Sequence, residues 1–168
     1  MPSPSGRPAA AGTGTYSERR TLLRSPVVEE TTAGARRLGE AYWQEVAAYS
    51  RGLVRPRRVV DGVDLVLLRV LPLLRFGRAE ATAGAGLVRC RYPIRGGILA
   101  SGPGGFLVLS QHSRETVELS LAVHDYRARL AVEGRLGARR RLFERLQVPL
   151  HERVSRRFLE RAAAQGSL

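Results

Sequence analysis

The chain has 168 residues, a formal net charge of +13 and a single cysteine. That length supports one domain with a substantial core. One cysteine excludes an intrachain disulfide and any CxxC or Cys/His zinc site, and it suits a reducing, cytoplasmic setting. Every one of the 28 basic residues is Arg, with no Lys and no Asn in the chain. This is the mark of high-GC coding in a bacterium, so the supply of Arg codons explains part of a charge that would otherwise point directly to nucleic acid.

In chain order, residues 1–24 read as a disordered tail, rich in Pro, Ser, Gly and Ala and without apolar period. The tail lacks the apolar stretch of a signal peptide. Thr21 to Val28 is a poor candidate for a strand. From about Ala35 to Arg51, Leu38, Tyr42, Val46 and Tyr49 recur at helical spacing, and Gly52 is placed to end that helix. The period then changes to two. Val88, Cys90, Tyr92 and Ile94 alternate with polar positions or Pro, as do Val117, Leu119, Leu121 and Val123, and then Tyr126, Ala128, Leu130 and Val132. Asp61-Gly62, Ala83 to Gly86, Gly102 to Gly105 and His112 to Arg114 supply turn chemistry, and His124-Asp125 is expected to make a further hairpin turn. The short connections leave no room for crossover helices, so the sheet is expected to be mostly antiparallel, with about six strands.

A long amphipathic helix is expected from about Ala138 to Ala164. Leu142, Leu146, Leu150, Val154 and Phe158 repeat every four residues, and Pro149 predicts a kink near Val148. The expected fold is α+β: a curved antiparallel sheet packed against this helix, with an N-terminal helix, in one domain over residues 35–164. The most apolar window, Val63 to Leu74, is too short to span a membrane and is interrupted by Arg69.

The strand meander with its closing helix, together with Arg91-Tyr92-Pro93-Ile94, Gly96-Gly97-Ile98-Leu99 and Pro103-Gly104-Gly105, resembles the START-like superfamily, also called SRPBCC or helix-grip proteins. The resemblance covers roughly Val59 to Leu159. It implies a hydrophobic small molecule held between a curved sheet and the C-terminal helix, as in lipid or pigment carriers and polyketide aromatase/cyclases. It also implies a strand ahead of the first helix. The family has no universal catalytic residues, so none is carried over.

On the inward strand faces, Tyr92 and Tyr126 are candidate lining residues for a lipid- or polyketide-like ligand. Cys90 shares that face, where a free thiol behaves chiefly as a small core hydrophobe. Ser110 with His112, and His124 with Asp125, lack the frame of a nucleophilic triad and read as polar residues at turns. The three His (112, 124 and 151) fall on different elements, so no metal site is expected, and the glycine-rich segments precede strands rather than the helix that a phosphate loop needs. No cofactor and no catalytic residue are assigned. A cyclase-like enzyme would need an acid/base group among these inward residues. The last helix carries Arg139, Arg140, Arg141, Arg153, Arg156 and Arg157, either a solvated face or a basic patch for nucleic acid or an anionic membrane. The sequence leaves the oligomeric state open.

Overall fold

The computed structural model describes residues 15–126 and 152–168. Within them the chain is α+β: eight strands form one antiparallel curved sheet, with helices on its inner face. The elements are β1 (Thr15–Leu23), α1 (Thr32–Tyr49), β2 (Val54–Val59), β3 (Gly62–Leu67), β4 (Leu71–Phe76), β5 (Glu80–Gly84), β6 (Leu87–Gly96), β7 (Phe106–Ser113) and β8 (Val117–Tyr126). A second helix, α2, covers 152–165. Strand order is β1-β8-β7-β6-β4-β3-β2, and β5 pairs with the first half of β6. The handover on β6 from β5 to β4, through an irregular register at Arg75/Phe76, bends the sheet into two arms.

Two sequence expectations are corrected. Residues 15–23 are not part of a disordered tail but an edge strand paired with β8 from Thr15↔Tyr126 to Leu23↔Val117. Their apolar content is low because ladder hydrogen bonds and cross-strand charge hold the strand, with Arg20 pairing both Glu18 and Glu118. His124-Asp125 is not a hairpin turn. The two residues sit within β8 at a bulge, between Val123↔Ser17 and Tyr126↔Thr15, and Asp125 takes a φ of 51° there. The strand pattern expected after Tyr126, the helix before residue 152 and its kink at Pro149 lie outside the described residues.

α1 is capped by Thr31, whose hydroxyl accepts from the Gly34 amide at 2.9 Å. It ends where expected: Ser50 is the C-cap, and Arg51 and Gly52 adopt φ of 51° and 77°, with the Gly52 amide returning to the Ala47 carbonyl. Its face of Ala35, Leu38, Tyr42 and Val46 packs on Val88, Cys90, Tyr92, Leu109, Leu119 and Leu121 of the sheet. The approach is close at Gly39, where an added Cβ would lie 2.3 Å from the Tyr92 hydroxyl and 2.8 Å from Cys90 Sγ. A mid-helix Gly costs helix propensity, and this contact is the reason for it.

α2 is locked onto α1. Phe158 meets Tyr42 edge-on at 5.7 Å between centroids. The fully buried Ser155 presents its hydroxyl to Tyr42. Glu45, 4% exposed, is gripped by two arginines one helical turn apart: Arg161 Nη1 donates to Oε2 at 2.9 Å, and Arg157 Nε forms a close ion pair with Oε1 at 2.7 Å. Across the sheet, the buried Gln111 carboxamide secures the segment before α1. Its Oε1 accepts from the Val27 and Val28 amides at 2.8 and 3.2 Å, and its Nε2 donates to the Val28 carbonyl at 2.9 Å.

Two outcomes follow for stability. Gly39→Ala, which would strengthen an isolated helix, should destabilise the protein by about 1–3 kcal/mol because the helix must lift off Tyr92. Glu45→Ala should cost about 1–3 kcal/mol through lost charge-assisted contacts. It should also release α2, read as faster amide exchange over 152–165. Denaturant unfolding of both variants measures the first quantity. A neutral Gly39→Ala would show that α1 can slide without loss.

Candidate functional site

The inner surface of the bent sheet is not uniformly filled. α1 packs against β5, β6 and the start of β2, and between the helix and the β2–β3 hairpin an open cleft of about 760 Å³ remains. One wall is α1, through Arg36, Glu40, Trp43 and Ala47. The other is the hairpin, through Pro56, Val59, Val60 and Val63. Pro56 and Val63 line it from β2 and β3, and Val59 and Val60, both exposed, border it at the Asp61-Gly62 reversal.

The floor is aromatic. Trp43 lies 5.2 Å from Tyr92 and 5.0 Å from Phe76, ring centroid to ring centroid, in edge and tilted arrangements. The indole N–H is buried without a well-aligned acceptor among the described residues, although it faces the Tyr92 hydroxyl. Burial pushes the Tyr92 phenol well above its ordinary value, and the neighbouring Cys90 adds to the rise. Burial likewise raises Tyr42, against a smaller opposing effect of Ser155. Cys90 is fully buried, and desolvation raises its thiol above the ordinary range, with Tyr92 opposing.

The rim is cationic. Arg58 pairs with Glu40 at 3.0 Å and Arg78 with Asp61 at 3.6 Å. Arg36 and Arg55 line the same cleft with no carboxylate partner among the described residues, and Arg55 Nε donates only to the Gly52 carbonyl at 2.9 Å. The site therefore combines an aromatic floor, an aliphatic wall and two guanidinium groups with no ion-pair partner among the described residues.

The three residues singled out on the strands separate in space. Tyr92 reaches the cleft floor, Cys90 lies beneath Gly39 in the packed core, and Tyr126 is elsewhere. The Tyr126 hydroxyl donates to the Leu99 carbonyl at 2.7 Å and buttresses the loop between β6 and β7. The described part of α2 contributes nothing to the cleft lining. Of the basic residues on that helix, Arg157 is committed to Glu45, Arg156 pairs with Glu160 at 3.7 Å and Arg153 is exposed. Arg139, Arg140 and Arg141 lie outside the described residues. Trp43, Arg36 and Arg55 were missed as site residues. Trp43 lies one position off the Leu38-Tyr42-Val46 stripe and widens it, which is the signal that could have found it.

A second concavity, about 950 Å³, lies on the outer face of β1, β8, β7 and β6. Here Ser110 and Ser120 share a 2.8 Å hydrogen bond and Arg91 stacks over Phe106 at 3.3 Å. Ser110 is thus engaged with another hydroxyl, not with His112. Among the described residues no group of three or more His, Cys, Asp or Glu could hold a metal, and no helix is long and apolar enough to cross a membrane.

No protein-family model matches the chain, and no curated protein matches it either. The buried groups give a pH prediction. A phenol whose folded pKa is raised contributes stability that is fully present below 10.0, the ordinary Tyr value, and is lost as pH climbs above it. Stability should therefore fall above about pH 10, and an alkaline absorbance titration of the native protein should leave Tyr42 and Tyr92 protonated until unfolding. Cys90 should resist a thiol reagent in native buffer and react at once in denaturant. Rapid native labelling would contradict the buried, raised-pKa thiol.

Proposed function

We propose that the chain binds, without transforming it, an apolar small molecule carrying an anionic group, in the cleft between α1 and the β2–β3 hairpin. The observation that carries this reading is the placing of Arg36 and Arg55, without an ion-pair partner among the described residues, beside the Trp43–Tyr92 floor and the Val59–Val63 wall. Such a site removes an alkyl or ring body from water while its guanidinium groups hold a carboxylate or phosphate. A lipid-like acid satisfies both demands. The START-like resemblance points to the same class of ligand, and it gains support from β1, the strand that such proteins have ahead of their first helix. It would place the ligand against the C-terminal helix, whereas the described lining favours the hairpin side of α1.

Catalysis draws no support from this site. The carboxylates of the rim, Glu40 and Asp61, are paired with Arg58 and Arg78, and burial raises the Tyr92 phenol. Phosphate binding by α2 is less favoured, because three of its four described arginines, Arg156, Arg157 and Arg161, are engaged with Glu160 and Glu45, leaving Arg153 exposed.

Trp43 is the only tryptophan in the chain, so its fluorescence reports directly on the cleft. Dibrominated stearic acid should quench it saturably, and unbrominated stearic acid should reverse the quenching. Replacing Arg36 and Arg55 together by Glu should weaken binding about tenfold or more, equivalent to ~1.4 kcal/mol. Quenching that never saturates, or that ignores the double substitution, would refute an anion-selective cleft.

A further inference from the structure

We propose that the tip formed by the β3–β4 turn and the α1–β2 connector inserts into the surface of an anionic lipid bilayer. Leu53, Leu68, Val70 and Leu71 are 55%, 62%, 79% and 41% exposed. The Leu68 amide donates to the Leu53 carbonyl at 2.8 Å, so the two loops lie side by side and present these side chains together. Single exposed aliphatic residues are ordinary on a soluble surface, but four of them on adjacent loop tips are not.

The backbone sharpens the point. Leu68 and Arg69 have φ of 50° and 67°, in the left-handed region where Gly, Asn or Asp is favoured. A reversal of this shape would be better served by Gly, Asn or Asp at these positions, and Leu68 is held strained and exposed at once. Strain kept at a protruding apolar residue points to a surface role rather than a folding role.

Charge identifies the occupant. Arg51 and Arg69 are exposed at the tip and Arg55 lies just behind it, while residues 50–55 and 66–72 contain no Asp or Glu. Among the described residues, Arg51 and Arg69 have no ion-pair partner. Aliphatic side chains ahead of unpaired guanidinium groups match the cross-section of an anionic membrane interface. The apolar groups enter the headgroup–acyl boundary, and the cations stay level with the phosphates. Leu68 and Val70, the most exposed of the four, line neither concavity, which fits a deformable bilayer better than a shaped protein partner. Gly52 and Arg55 also line the cleft, so docking would bring the cleft mouth to the lipid. The membrane proposal stands without the ligand reading.

The test is co-sedimentation of the full chain with vesicles of phosphatidylcholine alone and of phosphatidylcholine with 30% phosphatidylglycerol. Binding to the anionic vesicles is expected. It should weaken at least tenfold in Leu68→Gly/Val70→Ser, which leaves every charge in place. The same variant should unfold at higher denaturant concentration than the parent, because Gly relieves the turn, and its Trp43 quenching by dibrominated stearic acid should be unchanged. That pairing separates loss of membrane contact from misfolding and from failure of the cleft. Equal vesicle binding by parent and variant would assign the interaction to net charge elsewhere and overturn the proposal. So would absence of binding at low salt. Sedimentation of the parent as a dimer that the variant abolishes would replace the bilayer with a second copy of this chain.

Discussion

The seating of α1 on β6 is the contact on which the remaining structure depends. At Gly39 the helix backbone comes against the Tyr92 hydroxyl and Cys90 Sγ with no side chain between. That depth fixes the helix axis, which in turn sets where Trp43 meets Tyr92 and Phe76. The same helix brings Tyr42 and Glu45 against α2. The cleft lies where α1 and the hairpin meet less fully, bridged at the rim by Arg58 and Glu40. A helix lying further out would leave a thin gap everywhere instead of a packed half and an open half.

Arginine does three different jobs on this scaffold. Arg157 and Arg161 grip one nearly dry carboxylate and tie α2 to α1, where the geometry is close and the acceptor is shielded. Pairs such as Arg19 with Glu152, or Arg156 with Glu160, are long and solvated and contribute little. The third group has no carboxylate at all among the described residues and collects at the cleft rim and the β3–β4 tip, as with Arg36, Arg55, Arg51 and Arg69. Codon supply can raise the number of arginines, but it does not sort them into buried clamps and unpaired rims. The folded positions of the 15 acidic residues do that sorting.

The parts of the fold that were legible in the sequence are those where burial is periodic. Leu38, Tyr42 and Val46 announced α1, and Val88, Cys90, Tyr92 and Ile94 announced the inward face of β6, because one side of each element faces a core. β1 was illegible for the converse reason. An edge strand stabilised by backbone pairing and by Arg20 between two glutamates carries no hydrophobic alternation. The Leu68–Val70 turn was hidden by chemistry that contradicts its shape, since non-Gly residues occupy positions where Gly or Asn would be the signal. Site residues fared unevenly. Tyr92 was legible as an inward aromatic, but its partners depend on how far the β2–β3 hairpin stands from α1, which no local pattern encodes. Tyr126 has the same alternation as Tyr92, but its hydroxyl is bonded to the Leu99 carbonyl and it does not line this cleft.

One short connector links these levels. Ser50 caps α1, and its hydroxyl donates to the Val54 carbonyl at 2.8 Å and accepts from the Val54 amide at 3.1 Å, closing the residues between into a tight loop. Within that loop Arg51 and Gly52 take left-handed conformations, Gly52 borders the cleft, and Leu53 stands out beside Leu68. A mobile loop would pay an ordering cost whenever its exposed apolar residue met a partner. This one is fixed by hydrogen bonds at both ends, so Leu53 is already in place. The same rigidity couples the tip to the cleft rim, because Arg55 is bonded to the Gly52 carbonyl inside the connector.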